Sequence, residues 1–433
     1  MQQQQQNQSY YQATTKYTLP LNIIDSDESC DVCVIGGGLV GISSAYTLAK
    51  DGYKVILLEA DTIANGASGR NGGQVLSGYH VSPDELIAKY GQDIAQQLWE
   101  ISHLGICEIR QNIATYNLQC DWISGSATVA YHKSHVKQLE EYYSTVTKLF
   151  NYPHLQLWDA AKTATVVSSH KNYYAALYDA FAGHMHPLNY VLGMALELIA
   201  MGVKVYQYSK VDAVVKNGQN NINNINNINN SYDTYSIASN KITVSAKKVV
   251  VAANLGNSQL FPQLNGRYVS FTSPVATTSK LDAAVAVGLI KNKMAVCDTR
   301  WVMDYYRLTA DNRLLFGGGD SFFVNRDINT LKRVLQQHIN SIFPQLALDI
   351  NNSQNGLALD YIWYGQESMT LNMMPDVGRI SETNIFYAHG FSGHGIALST
   401  AVGKIIASAV TGEDAGFRAL IQAESKPSML IKY

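Results

Sequence analysis

Residues 34–60 read VIGGGLVGISSAYTLAKDGYKVILLEA. Gly36, Gly38 and Gly41 give the spacing G-x-G-x-x-G, preceded by the apolar run CDVCVI. LVGISSAYTLAKDG (39–52) carries apolar and small residues at helical spacing and stops at Gly52. YKVILLEA (53–60) reads as a second strand that ends on Glu59 and Ala60. Strand, glycine turn, helix and strand in this order define a dinucleotide-binding unit. The glycines allow the tight turn, the close approach of backbone to a pyrophosphate and close helix–strand packing. The helix start, at Leu39 and Val40, offers unpaired N–H groups to the phosphates. The Glu59 carboxylate can accept from ribose hydroxyls. An acid there disfavours a 2′-phosphate, so NADP is the poorest fit, while NAD and FAD both stay open.

A second glycine cluster, GASGRNGGQ (66–74), follows Glu59 within a few residues. A simple nicotinamide domain would run on into a third strand here. Small residues instead let backbone lie against an extended cofactor, and Arg70 adds positive potential. An ordinary surface turn accounts for the glycines. It does not account for Ser68, Arg70, Asn71 and Gln74 arriving with them, which favours FAD.

GGGLVGISSAYTLAKDGYKVILLEA followed by GASGRNGGQ resembles the FAD-dependent D-amino acid oxidase/glycine oxidase superfamily, and is most similar to its gamma-glutamylputrescine oxidoreductase branch. Four further stretches carry the resemblance: HPLNYVLGMALELIAMGVKVY, VVVAANLG, YYRLTADNRLLFGGGD and LNMMPDVGRISETNIFYAHGFSGHGIALSTAVGKIIA. Together they cover about residues 10 to 412.

The resemblance implies an α/β plus α+β architecture: a Rossmann-like, GR2-type FAD-binding domain with an inserted substrate domain on an antiparallel or mixed sheet with helices. The FAD domain is expected over 28–78, 187–260 and 371–433, and the substrate domain over 79–186 and 261–370. A flexible arm is expected over 1–27 and an Asn-rich hairpin loop over 217–235. The implied cofactor contacts are Gly36, Gly38, Leu39, Val40, Gly41, Glu59, Ala60, Ser68, Gly69, Arg70, Asn71, Gly72, Gly73, Gln74, Val211, Ala253, Gly393, His394, Gly395 and Ile396. Some relatives link flavin covalently through a cysteine near the PD segment or a histidine in the first loop. Here Cys297 is far in sequence from ESMTLNMMPD, and Arg70-Asn71 stand where that histidine would be, so the FAD is expected to be non-covalent.

The expected chemistry is oxidation of an amine C–N bond to an imine, which water then opens. Gamma-glutamylputrescine or a similar amine is the first candidate substrate, and a D-amino acid, glycine or N-methyl amino acid the second. A flavin-binding sensor without turnover is an alternative of another class. Oxygen or another carrier would accept the electrons. MDYYRLT (303–309) puts Tyr305 and Arg307 on one strand face. Arg307 either pairs with a substrate carboxylate or serves a salt bridge. Trp363 either lines the flavin pocket or packs in a core strand. His394 is either a pocket residue or a structural histidine.

Composition excludes other classes. Net charge is −2 with no basic block, so nucleic acid is not an expected partner. Five irregularly spaced cysteines do not make a disulfide framework, and C-D-V-C at 30–33 reads as part of a buried strand. His184 and His186 lack a third nearby ligand, so no metal is expected, and they read as a turn entering a helix. The amino terminus lacks signal-peptide character, and no apolar run is long enough to span a bilayer, so a cytoplasmic location is expected.

Overall fold

The apolar stretches flanking the first glycine cluster pair as parallel strands. Glu28–Ile35 lies beside Val55–Leu58, in register from Val32↔Val55 to Ile35↔Leu58. The helix Leu39–Lys50 joins them, with Gly38 at its N-cap. All four residues of Val55–Leu58 are buried, as expected for a parallel strand covered on both faces. This computed structural model describes residues 8–217, 234–319, 327–349, 358–412 and 415–423.

The first sheet runs Asp376–Arg379, Ile385–His389, Ile242–Val251, Glu28–Ile35, Val55–Leu58, Lys204–Tyr206. Its central pairs are parallel, and Asp376–Arg379 closes one edge antiparallel. Val211–Lys216 and Tyr235–Ser239 extend it as an antiparallel pair. Of the Asn-rich loop expected between those two strands, residues 218–233 lie outside the described residues, as does the polyglutamine start.

The helix Gly395–Thr411 lies against Leu39–Lys50. The contact is close: a Cβ on Gly403 would sit 2.6 Å from the Val40 carbonyl oxygen. Ser43 and Ser44 donate across it to the carbonyls of Thr400 and Gly403, at 2.7 and 2.9 Å.

The second sheet runs Leu359–Thr370, Tyr268–Thr278, Leu314–Gly317, Tyr305–Leu308, Ala295–Asp298, Ile123–Val129, Ala175–His184, Gln74–Val75, with Leu155–Asp159 also on Ala175–His184. It is antiparallel except for Ala295–Asp298 beside Ile123–Val129. A fold of α/β plus α+β type is therefore present, with one sheet parallel at its centre and antiparallel at its edges and a second that is mostly antiparallel. Gln74–Val75 already belongs to the second sheet, so the chain leaves the first one ahead of the expected boundary at 78.

The expected flexible arm is corrected by the structure from residue 8 onward. Ser9 and Gln12 form a capping box on the short helix Tyr10–Ala13. Tyr10 and Tyr11 are buried, at 4% and 0% exposure. Asn189 receives hydrogen bonds from Thr15 and Lys16, and the Gln207 N–H donates to the Asn22 carbonyl. Two aromatic side chains give this segment enough apolar area to bury, and the polar neighbours fix its path.

Candidate functional site

The two glycine loops and the turn before Gly395 open onto one cavity of about 790 Å³. Each glycine of the first loop has a distinct task. Gly36 has φ +109° and a Cβ there would meet the Ala252 carbonyl oxygen at 2.5 Å. A Cβ on Gly41 would lie 1.9 Å from the Gly36 carbonyl oxygen, so Gly41 packs helix on strand and does not line the cavity. Gly38, Leu39 and Val40 do line it.

Ser68 joins the two loops: its Oγ accepts the Leu39 N–H at 3.0 Å. Asn71 organises the second loop, donating to the carbonyls of Ala67 and Ser68 and accepting the Gly73 N–H at 2.8 Å. Arg70 is 6% exposed. Its Nε donates to the Asn65 carbonyl at 2.9 Å, and Nη1 has no hydrogen-bond partner among the described residues.

Glu59 accepts the Gly37 and Asp61 N–H groups at 2.7 and 2.9 Å, one on each oxygen. Burial raises its pKa, and those donors oppose the rise. Ala60, Val211 and Ala253 line the same end, with Lys210 and Asp212 beside Val211.

At the other end, Gly393, His394, Gly395 and Ile396 line the cavity. His394 is the N-cap of Gly395–Thr411, so a helix terminus with its partial positive charge faces inward. The His394 Nδ1 is buried without a hydrogen-bond partner among the described residues. Burial, helped by His80, pushes the His394 pKa down to about 3, so the ring is neutral at working pH.

Of the expected cofactor contacts, Ser68, Arg70, Asn71, Gly72 and Gln74 reach the cavity. Gly41, Gly69 and Gly73 do not. Gly69 is fixed by its approach to the Ala64 carbonyl, and Gly73 by φ +77° and the nearby Met185 carbonyl.

Of the expected substrate residues, Tyr305 lines the cavity and sits 3.1 Å from Ser273 Oγ through its hydroxyl. Arg307 and Trp363 do not line it. Arg307 is 3% exposed and its fork is occupied: Nε donates to the Gly72 carbonyl, and Nη2 to Tyr11 Oη and the Met185 carbonyl. It is therefore no clamp for a substrate carboxylate. Trp363 is 1% exposed and donates from Nε1 to the Arg70 carbonyl at 2.9 Å. His186 caps the helix Pro187–Ala200, and His184 is held by the Lys293 carbonyl.

The structure adds residues that the sequence did not single out. His80 lies 5.9 Å from His394 and 5.6 Å from Trp301, ring centroid to ring centroid, both edge-on. Trp301 is 67% exposed where it lines the cavity. Its segment is pinned by Arg300, which bridges buried Asp298 and Asp304 at 2.5 Å each. Cys297, remote in sequence from the PD segment, also lines the cavity. Burial pushes its thiol up to about 11, so it is protonated and a poor nucleophile. Cys297 pairs with Tyr305 across two antiparallel strands, a register that parity within one strand does not show. Nothing local marked His80 or Trp301.

Two backbone cradles, an acid at the strand end, a helix terminus at the far end and unpartnered polar atoms at Arg70 and His394 fit an extended dinucleotide such as FAD. The site and the sheets around it thus define a flavin-dependent oxidoreductase. A family model described as FAD dependent oxidoreductase (DAO) matches residues 31–409. The gamma-glutamylputrescine oxidoreductase of Escherichia coli is 36% identical over 97% of this chain and 92% of its own length. The probable oxidoreductase OrdL of Haemophilus influenzae is 37% identical over 95% and 90%. Glycine oxidase from Geobacillus kaustophilus superposes with TM-score 0.72 at 17% identity, over 90% of this chain and 96% of that one. The chain belongs to the DAO family of FAD-dependent oxidoreductases, which act on CH–NH or CH–NH2 groups.

Proposed function

We propose that the chain oxidises the C–N bond of an extended amine, with gamma-glutamylputrescine as first candidate. The position of Arg307 carries this reading. An amino acid oxidised at its α-carbon needs a cation for the adjacent carboxylate, and Arg307 is spent on backbone carbonyls. Among the described residues, the Lys and Arg side chains lining the cavity are Arg70, tied to Asn65, and Lys210, next to Val211. The carboxylates lining it are Glu59, Asp61, Asp212 and Glu367. Glu59, Asp61 and Asp212 stand at the nucleotide end with Lys210, which leaves Glu367 as the lining carboxylate away from that end and able to favour a cationic substrate. Burial lowers the pKa of both His80 and His394, so neither ring repels an ammonium group at neutral pH. The similarity to the Escherichia coli enzyme supports the same substrate class.

Bound FAD supplies the two-electron acceptor. The chain supplies the rest. The helix start at Gly395 favours negative charge at the flavin end. Tyr305 and Ser273 shape one wall through their shared hydrogen bond, and Trp301, His80 and His394 form a line of rings along another.

Anaerobic mixing with a panel of amines tests the reading by flavin absorbance. Gamma-glutamylputrescine should bleach the flavin, with D-alanine, glycine and sarcosine far slower. Bleaching by those amino acids and not by the long amine would overturn it, as would no bleaching by any compound.

A further inference from the structure

Three consecutive carbonyls of the second glycine loop are held from outside the cavity by three distant parts of the chain. The Arg70 carbonyl accepts from Trp363 Nε1 at 2.9 Å. The Asn71 carbonyl accepts from Tyr11 Oη at 2.9 Å. The Gly72 carbonyl accepts from Arg307 Nε at 2.8 Å. The loop residues line the cavity and the three donors do not. Its carbonyl dipoles are thus drawn away from the cofactor space, which removes acceptor oxygens from a surface that must receive an electron-rich cofactor.

The three donors also support one another. Arg307 Nη2 donates to the Tyr11 hydroxyl at 3.0 Å, which leaves the phenolic proton for the Asn71 carbonyl. The Tyr11 ring packs edge-on to Trp363, with centroids 5.4 Å apart. Tyr11 is fully buried and comes from the amino-terminal segment, 296 residues from Arg307. Each strut is buried, so losing one leaves a carbonyl without its donor.

We propose that Tyr11 is a positioning residue for the flavin: through its hydroxyl the amino-terminal segment holds the second glycine loop in its cofactor-binding shape. With the hydroxyl gone, the ordering of that loop falls on the binding step and weakens it. The role is independent of which amine is oxidised.

Tyr11→Phe removes the hydroxyl and keeps the ring. Tyr10→Phe is the control: Tyr10 Oη donates to Asp311 and not to the loop. Apoprotein of each is titrated with FAD, followed by flavin fluorescence, and its amide hydrogen exchange over residues 70–73 is measured. Tyr11→Phe should weaken FAD binding about three- to tenfold, the range for loss of one buried hydrogen bond, and speed exchange in the loop. Tyr10→Phe should do neither. FAD affinity unchanged in Tyr11→Phe would overturn the proposal. An equal loss in both variants would overturn it too, since it would reflect general loosening of the amino-terminal segment.

Discussion

Trp301→Ala separates substrate recognition from folding. At 67% exposure the side chain owes little to the core, and its backbone segment is fixed independently by Arg300, Asp298 and Asp304. A tryptophan presents roughly 150–250 Å², so about 100–170 Å² of this ring remains open at the cavity wall. A substrate tail covering half of that would bury about 50–85 Å², or about 1.3–2.1 kcal/mol at ~25 cal/mol per Å². A cationic group over the ring adds about 0.5–1 kcal/mol. The expected effect is a KM for gamma-glutamylputrescine raised about 20- to 160-fold, following from the summed ~1.8–3.1 kcal/mol at a factor of ten per ~1.4 kcal/mol. The KM for a short amine such as butylamine should change less than about threefold, an energy difference below ~0.7 kcal/mol. The kcat and the FAD affinity should hold, because among the described residues no hydrogen bond of the Trp301 side chain ties it to either glycine loop. Steady-state kinetics on the two amines, with a flavin titration, measures all of these. Equal KM changes for both amines, or a fall in kcat with KM constant, would refute the assignment of Trp301 to the substrate tail.

Gly41→Ala places a Cβ 1.9 Å from the Gly36 carbonyl oxygen, so helix and strand must part. Loss of about 1–3 kcal/mol of stability, together with loss of bound flavin, is expected in urea unfolding followed by flavin release. Burial pushes His184 and His186 down to about 3, each also repelled by Arg307, so both are neutral in the folded chain while the unfolded chain protonates near 6.5. Stability is therefore present above that value and falls as pH drops from about 6.5 towards 3, at up to ~1.4 kcal/mol per pH unit for each ring. His338, raised by its hydrogen bond to Asp304, opposes this in sign; melting curves from pH 7 to 5 should still decline, and a flat profile would contradict the burial of the two rings. Acid precipitation should leave flavin in the supernatant, because the Cys297 thiol stays protonated at neutral pH; colour retained in the pellet would show a covalent link.

What the sequence disclosed and what it withheld divide by range along the chain. The first glycine loop was legible because its motif, from Gly36 to Glu59, lies within thirty positions; of the contacts that a Cβ would close, those of Gly38 and Gly41 are as local, while that of Gly36 is with the distant Ala252 carbonyl. The second loop was legible as an organised turn that lines the cavity because Ser68, Arg70 and Asn71 act within it or on its neighbour. Strand parity correctly put Tyr305 and Arg307 on one face of Tyr305–Leu308. Parity does not say what covers that face. Over Tyr305 lies the cavity, and two residues further on lie the Gly72 carbonyl and the hydroxyl of Tyr11. An arginine whose donors meet buried carbonyls is held there by the cost of leaving them unpaired, and no local pattern announces such partners. The same holds for Trp363, where an aromatic in a strand looks alike whether it faces a ligand or ties down a loop. The amino-terminal segment is the sharpest case. A polar, glutamine-rich beginning suggested a free arm, yet two tyrosines outweigh that composition from residue 10 onward. One of them ends on the second glycine loop, at the Asn71 carbonyl. Arg307 and Trp363, expected to touch substrate, instead join Tyr11 in holding the carbonyls of residues 70–72, and His80, Trp301 and Tyr305 line the cavity.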